Sequence, residues 1–413
     1  MKPLRATSVF YGLEFFLRMP TWVVMAVYLV RELHLSPLQL VLMGTAMEGA
    51  VLLFEVPTGV AADLYSRKVS QIVGYVGMGT AWMAVGLVSA PWAAILLWCG
   101  WGISYTLTSG AYEAWIADEV GAENVGALFL RGRRIGYGGA LLGLALQVGV
   151  GTISLRAGVV VGGAITTLCG LACIVVMPET AFRRRAEHEA EPHPRRLVGR
   201  ALAGIRYARA APLIGLLIAV ALFTGMSSEA FDRLKEAHFL RDVGLPAIGH
   251  LSPVVWFGIF YVVAMAFGFV ALGRLIPLVE RGGVEVVTRF LLGFTFAQLT
   301  AMALFAFSRS TWPAVAGLLG VFFARDLTDP LYTTWLNAQI SDSSVRATVL
   351  SLSGQADAVG QAAGGPVLGA IGDVWGIRAA LAAGATALAP AAALYARAIR
   401  RHVEVALVPT GEV

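Results

Sequence analysis

Apolar runs of about twenty residues recur along almost the whole chain, at roughly 7–30, 38–60, 70–90, 92–116, 134–154, 158–178, 212–232, 253–273, 287–308, 312–337, 347–371 and 377–398. A helix needs ~20 mostly apolar residues to cross a bilayer, so twelve crossings need ~240. The chain has 413 residues, 57% of them hydrophobic, and so holds enough apolar material. Only 14% are charged, against about a quarter in ordinary soluble proteins. So few charges cannot cover a water-facing surface, which excludes a soluble enzyme with one or two cores. Most of the 47 glycines fall inside the apolar runs, where they suit close helix contact in lipid. The sequence predicts an all-α membrane protein of twelve transmembrane helices.

One long polar segment begins at Glu179 and divides the spans into two sets of six. The expected organisation is a first half at 1–178, a basic linker at 179–210 and a second half at 211–413. LVGRALAGIRYARA within the linker is expected to lie as an amphipathic helix on the membrane surface. With the N-terminus placed in the cytoplasm, 22 Lys and Arg fall on the cytoplasmic side and 7 outside, Arg18 and Arg325 lying within spans. This bias predicts that both termini are cytoplasmic. The excess of basic residues (net charge +5) is accordingly assigned to topology and lipid contact, with no nucleic-acid partner. The halves also resemble each other. In YEAWIADEVGAENVGALFL and YTTWLNAQISDSSVRATVL, Tyr112 aligns with Tyr332, Trp115 with Trp335 and Leu130 with Leu350, without a gap. Both stretches close the fourth span of a half, which points to a parallel internal repeat.

Between spans two and three, PTGVAADLYSRKVSQ sets Gly59, Asp63, Arg67 and Lys68 at the spacing G-x-x-x-D-x-x-x-R-K. This resembles the signature loop of the major facilitator superfamily, with Ser66 where the family usually has Gly. The resemblance covers essentially the whole chain and implies the family's fold and a gate latch at these four residues. Gly59 is expected to admit a neighbouring helix. Asp63 is expected to accept hydrogen bonds from a helix N-terminus of the other half. Arg67 and Lys68 are expected to pair with Asp118 or Glu119. The matching loop of the second half, GRLIPLVERGG, lacks the aspartate. Gly139-xxx-Gly143, Gly360-xxx-Gly364 and Gly365-xxx-Gly369 have the spacing of close helix crossings.

Charges inside the spans mark candidate proton or substrate sites, because an ionised group at mid-bilayer costs ~2.5–3.5 kcal/mol even on the lenient scale. They are Glu14 and Arg18 on span one, Glu48 and Glu55 on span two, Glu113 on span four, Glu229 on span seven, Arg325, Asp326 and Asp329 on span ten, and Asp357 on span eleven. Glu14 and Arg18 are four apart and share a helix face. Glu48 and Asp357 lie mid-span without a base on their own helix, and a buried carboxyl without a cation can exchange protons near neutral pH. Glu229 is read as an outer-gate residue. One of Arg325 and Asp326 is expected to pair across to another span, and all six histidines to lie outside the spans.

No Walker loop, HExxH, GxSxG or metal-ligand cluster is present. The expectation is therefore no enzyme, no cofactor and no metal. The reading is a secondary active transporter in the cell membrane, a monomer exporting a small organic molecule or drug against protons, similar to the drug-efflux branch of the family. Proton-coupled nutrient uptake or uniport is the alternative within the class. A transporter-derived receptor or assembly factor without flux is the alternative outside it.

Overall fold

The computed structural model describes residues 2–121, 125–182, 212–340 and 346–407. Among them there is no strand. The chain forms two compact units, Met1–Pro192 with Ala247–Gly258, and His193–Pro246 with Ile259–Val413. The expected surface helix lies outside the described residues, as does most of the linker.

The first unit holds α1 (Lys2–Phe16), α2 (Trp22–Arg31), α3 (Pro37–Leu64), α4 (Arg67–Val85), α5 (Pro91–Thr106), α6 (Ala111–Val120), α7 (Val125–Ile153) and α8 (Leu155–Val176). Helix starts follow local chemistry. Ser36 and Gln39 form a capping box at α3 with Pro37 in the first turn, and Ser154 caps α8 through the Ala157 N–H.

Two expected spans are broken. Span one divides into α1 and α2 around Pro20, which has no N–H to continue a helix. Thr21 caps α2, its side chain accepting from the Val23 N–H. Gln147 of α7, fully buried, accepts from the Thr21 N–H at 3.3 Å and donates to the Met19 carbonyl at 2.6 Å. One amide thus satisfies two backbone groups that the break would orphan. Span four divides into α5 and α6 at Gly110, whose φ of +71° few other residues adopt.

The second unit contains α9 (Pro212–His238), a π-helical turn (Phe239–Val243), α10 (Pro253–Phe307) from Ile259 onward, α11 (Thr311–Ala338), α12 (Arg346–Trp375) and α13 (Ile377–Leu407). Span seven is longer than its hydropathy indicates. The charged stretch after residue 232, expected as an outer loop, continues α9, and Lys235, Glu236 and His238 are buried. His238 corrects the expectation that every histidine lies outside the spans. Helical structure also runs unbroken through the expected turn between spans eight and nine, giving one 55-residue element. Among the described residues, seven helices are long and apolar enough to cross a membrane, Pro37–Leu64, Val125–Ile153, Leu155–Val176, Pro212–Val243, Pro253–Val279, Val286–Phe307 and Ile377–Arg397. Spans one, three, four, ten and eleven of the twelve expected are absent from this set, one and four because each is divided into two shorter helices.

The same close crossing is built in each unit. A Cβ on Gly139 would strike the Phe15 carbonyl and one on Gly143 that of Met19, so α7 lies directly on the α1–α2 junction. In the second unit, Gly360 meets the Leu222 carbonyl and Gly364 meets Met226, so α12 lies on α9. Of the three expected glycine pairs, Gly139/Gly143 and Gly360/Gly364 form such crossings. The repeat is visible in the side chains too. The Tyr112 hydroxyl lies 3.4 Å from the Phe10 carbonyl, and the Tyr332 hydroxyl 3.0 Å from the Leu217 carbonyl. Trp115 and Trp335 are both fully buried, the first donating to the Pro178 carbonyl and the second stacked on Tyr395.

Candidate functional site

The signature loop forms a ring of polar contacts at the α3–α4 junction. Arg67 is the hub. One guanidinium nitrogen donates to the Asp118 carboxylate and to the Ala114 carbonyl (2.8 Å), and the other to Asp63 at 3.3 Å. The guanidinium also sits 5.8 Å from the Phe182 ring centre. The expected Arg67–Asp118 pair therefore forms, and it ties α4 to α6. Lys68 and Glu119 do not pair. The Lys68 ammonium donates to the Ile174 carbonyl at 2.9 Å, near the α8 C-terminus, and Arg5 donates to the Val175 carbonyl at 3.1 Å. Basic groups are favoured there by the helix dipole. Glu119 instead accepts from the backbone N–H groups of Thr180 and Ala181 and from the Thr180 hydroxyl.

Sequence reasoning missed Glu179. Its carboxylate caps α4, accepting from the Lys68 N–H at 2.9 Å and from the Ser66 hydroxyl at 2.6 Å. Ser66 is itself the N-cap of α4, in an extended conformation that needs no glycine. The departure from the family's usual Gly therefore carries no strain and adds a cap. Gly59 corrects an expectation: a Cβ there would meet nothing within 4 Å, so no close helix approach explains it. Asp63 bonds within its own unit, to Arg67.

The first cluster of intramembrane charges forms on α1. The Arg18 guanidinium donates to Glu14 at 3.1 Å, and the Tyr112 hydroxyl donates to the other Glu14 oxygen at 3.2 Å. Glu14 is largely buried, whereas the Arg18 side chain is 45% exposed. The acid is thus held from two helices while its base keeps free donors. Arg18 finds room because Gly136 of α7 lies against its side chain. At the matching crossing of the second unit the order is reversed. Asp357 of α12 lies against Gly225 of α9, and accepts from Gln361 at 2.8 Å. The repeat therefore places a cation at this crossing in one unit and an anion in the other.

Glu48 is half-buried on α3, in the electrostatic neighbourhood of Tyr105 together with Glu55 and Glu113. Glu113 is exposed in the first turn of α6, where the dipole favours an acid. Glu229 is buried and accepts from Arg233 at 3.2 Å. Arg325 donates to Asp232 at 2.7 Å, so the expected cross-span partner is a residue of α9 that hydropathy had placed at a span end. Asp326 lies against Gly268 of α10, and Asp329 is exposed one residue before Pro330. Lys235 and Glu236 are neighbours at 3.5 Å. No group of three or more His, Cys, Asp or Glu able to hold a metal occurs among the described residues.

Residues 7–356 match the model of the Major Facilitator Superfamily. The chain is 23% identical over 383 residues to the uncharacterized MFS-type transporter YxaM of Bacillus subtilis (strain 168), with 90% of each protein covered. Its fold is similar to that of the nucleoside transporter NupG, with a TM-score of 0.74 at 13% identity over 96% of this chain and 99% of that one. The peptide transporter POT in complex with sulfate gives a TM-score of 0.72 at 14% identity, covering 96% and 94%. An inward-facing, occupied bacterial homolog of the human lysosomal transporter Spinster gives 0.69 at 15% identity, covering 97% of both. A family match across most of the chain, on an all-helical fold with seven membrane-capable helices, makes this an integral membrane protein that belongs to the major facilitator superfamily of transporters.

Proposed function

We propose that the chain is a twelve-span secondary active transporter that works by alternating access and exports a small organic molecule in exchange for protons. Glu14, Arg18, Glu48, Glu113, Glu229, Arg325, Asp326 and Asp357 are its proton and substrate groups. Gly59, Asp63, Arg67 and Lys68 are its cytoplasmic latch, extended by Asp118 and Glu179. Both termini are cytoplasmic, and the membrane is the plasma membrane. One observation carries the reading. The Glu14 carboxylate is clamped by Arg18 and Tyr112, beside a break in its own span, while Arg18 remains half exposed. A charged cluster at a discontinuous helix is where transporters of this kind bind substrate and coupling ions. An unpartnered charge in lipid would be far more costly than one serving a ligand.

Likeness to nucleoside and POT-family transporters at 11–14% identity, and to the bacterial Spinster homolog at 15–17%, carries the fold and no substrate. The test is a thermal-shift screen of purified protein, then flux in proteoliposomes under an imposed pH gradient. Exchange for protons requires substrate to accumulate on the acidic side of the membrane, whereas proton-coupled uptake requires accumulation on the alkaline side. No flux for any stabilising compound would overturn the transporter assignment in favour of a receptor.

A further inference from the structure

We propose that the terminal guanidinium nitrogens of Arg18 bind a carboxylate group of the ligand, which makes the substrate class a small organic monoanion. That the ligand is a transported one rests on the transporter reading above. A guanidinium carries its N–H donors in one rigid plane. Arg18 uses the Nε donor, to Glu14 at 3.1 Å. Neither terminal nitrogen has a partner among the described residues, and 45% of the side chain is exposed. The edge bearing the two terminal nitrogens is therefore open. Its spacing matches the two oxygens of a carboxylate, which it takes as a bidentate pair.

The guanidinium is oriented before any ligand arrives. The Tyr112 hydroxyl donates to the second oxygen of Glu14 at 3.2 Å, so the acid that holds Nε is itself held from α6. Gly136 of α7 lies against Cδ and Nε of Arg18, where any side chain would displace the group. One turn earlier, Gly132 lies against Phe10 and Glu14 in the same way. Such preorganisation lowers the ordering cost of binding. The second unit supplies the contrast. Glu229 and Arg233 make the same pair, four residues apart at 3.2 Å, but Arg233 is only 12% exposed and engages further groups. A Glu–Arg pair that only neutralises its own helix is closed in this way, and the pair on α1 is open.

Arg18 stands in the break between α1 and α2, near the middle of the first span. Irregular backbone at that depth is tolerated only where protein or a water-filled cavity covers it. An exposed charge there belongs to the cavity, because lipid does not accept it. On the other side of the same break α2 starts at Trp22, and the positive end of its dipole adds to the potential. Charge also selects among anions. Arg18 and Glu14 together are neutral, so a carboxylate leaves a single uncompensated charge and a phosphate dianion a double one. The cost of removing charge from water favours the carboxylate.

The test measures binding to the purified full chain in detergent, from the shift of thermal unfolding with ligand concentration. The probes are small aliphatic, aromatic and hydroxy monocarboxylates, each beside its uncharged primary amide, with phenyl phosphate beside benzoate, at constant ionic strength. At least one carboxylate is expected to stabilise the wild type where its amide does not. Arg18→Gln is expected to weaken that binding by about tenfold or more, the loss of one charge-assisted pair. Arg18→Lys, which keeps the charge and loses the flat edge, is expected to weaken it by a smaller factor. If Arg18→Gln does not fold because Glu14 is left uncompensated, the double variant Glu14→Gln with Arg18→Gln removes both charges and replaces it. The anion site is overturned if no carboxylate stabilises the wild type beyond its amide, or if the variants bind that carboxylate as tightly. Tighter binding of phenyl phosphate than of benzoate overturns the choice of carboxylate. The two readings fail separately. A carboxylate that binds through Arg18 but never crosses a proteoliposome leaves the site standing without transport. Flux of a neutral or cationic compound that Arg18→Gln leaves unchanged keeps transport and overturns the site.

Discussion

The Arg325 guanidinium donates to the Asp232 carboxylate at 2.7 Å and joins the middle of α11 to the charged end of α9. About a third of each side chain is exposed, so the pair lies between a surface bridge and a buried one. Surface pairs contribute ~0–1 kcal/mol, and breaking a buried pair costs ~3–5. Asp232→Asn is therefore expected to destabilise the protein by roughly 1–3 kcal/mol. In a double-mutant cycle with Arg325→Gln, measured by thermal unfolding in detergent, the two losses should not add. Simple additivity would show that the contact contributes nothing.

Asp63→Asn and Asp118→Asn each remove a charge from Arg67 without changing shape. A hydrogen bond to a charged group contributes ~1.5–3 kcal/mol, enough to move a two-state equilibrium by roughly ten- to a hundred-fold. Both variants should express almost normally and lose most transport. Unchanged transport, with unchanged cysteine accessibility on the two sides of the membrane, would remove the latch role.

Gln147→Leu should be among the most damaging substitutions in the first unit. It leaves the Thr21 N–H and the Met19 carbonyl without their partner at a buried break. Each unsatisfied group costs ~1–3 kcal/mol. A melting temperature within a degree or two of the wild type would show that the break satisfies itself by other means.

Gly139 and Gly59 should respond in opposite ways to alanine. The new methyl at Gly139 strikes the Phe15 backbone, whereas that at Gly59 meets nothing within 4 Å. Overpacking costs ~1–3 kcal/mol, while Gly→Ala inside a helix gains roughly 0.5–1. Thermal unfolding of the two variants measures both, and equal effects would contradict the crossing.

Glu48 separates coupling from structure. Glu48→Gln should abolish pH-driven net transport while retaining substrate binding and counterflow exchange. If Glu48 were instead a structural bridge to Arg18, the variant should lose stability rather than coupling. Fully pH-driven transport in the variant would pass the proton role to Asp357, where Asp357→Asn is the corresponding test.

The periodicity of the chain was enough to predict an all-helical membrane protein, because crossing a bilayer imposes a length and an apolarity that composition alone reveals. The spacing from Gly59 to Lys68 pointed to the family for a similar reason: a local turn keeps its chemistry in a short stretch. The Glu14–Arg18 pair was equally legible, since four residues return a helix to the same face.

Contacts between distant segments were not legible. Glu179 lies 111 residues from Lys68, whose N–H it caps. Gln147 lies 126 residues from Thr21. Asp232 read as the end of a span, and Lys235, Glu236 and His238 as a polar loop, because hydropathy sums each residue's dislike of lipid and takes no account of partners. Asp232 has Arg325, Lys235 has Glu236, and His238 has both Asp242 and Phe305. The sequence by itself determined the material of each helix. Which charges could be buried was decided only by the tertiary structure, because the cost of burying a charge depends on the partners that stand beside it.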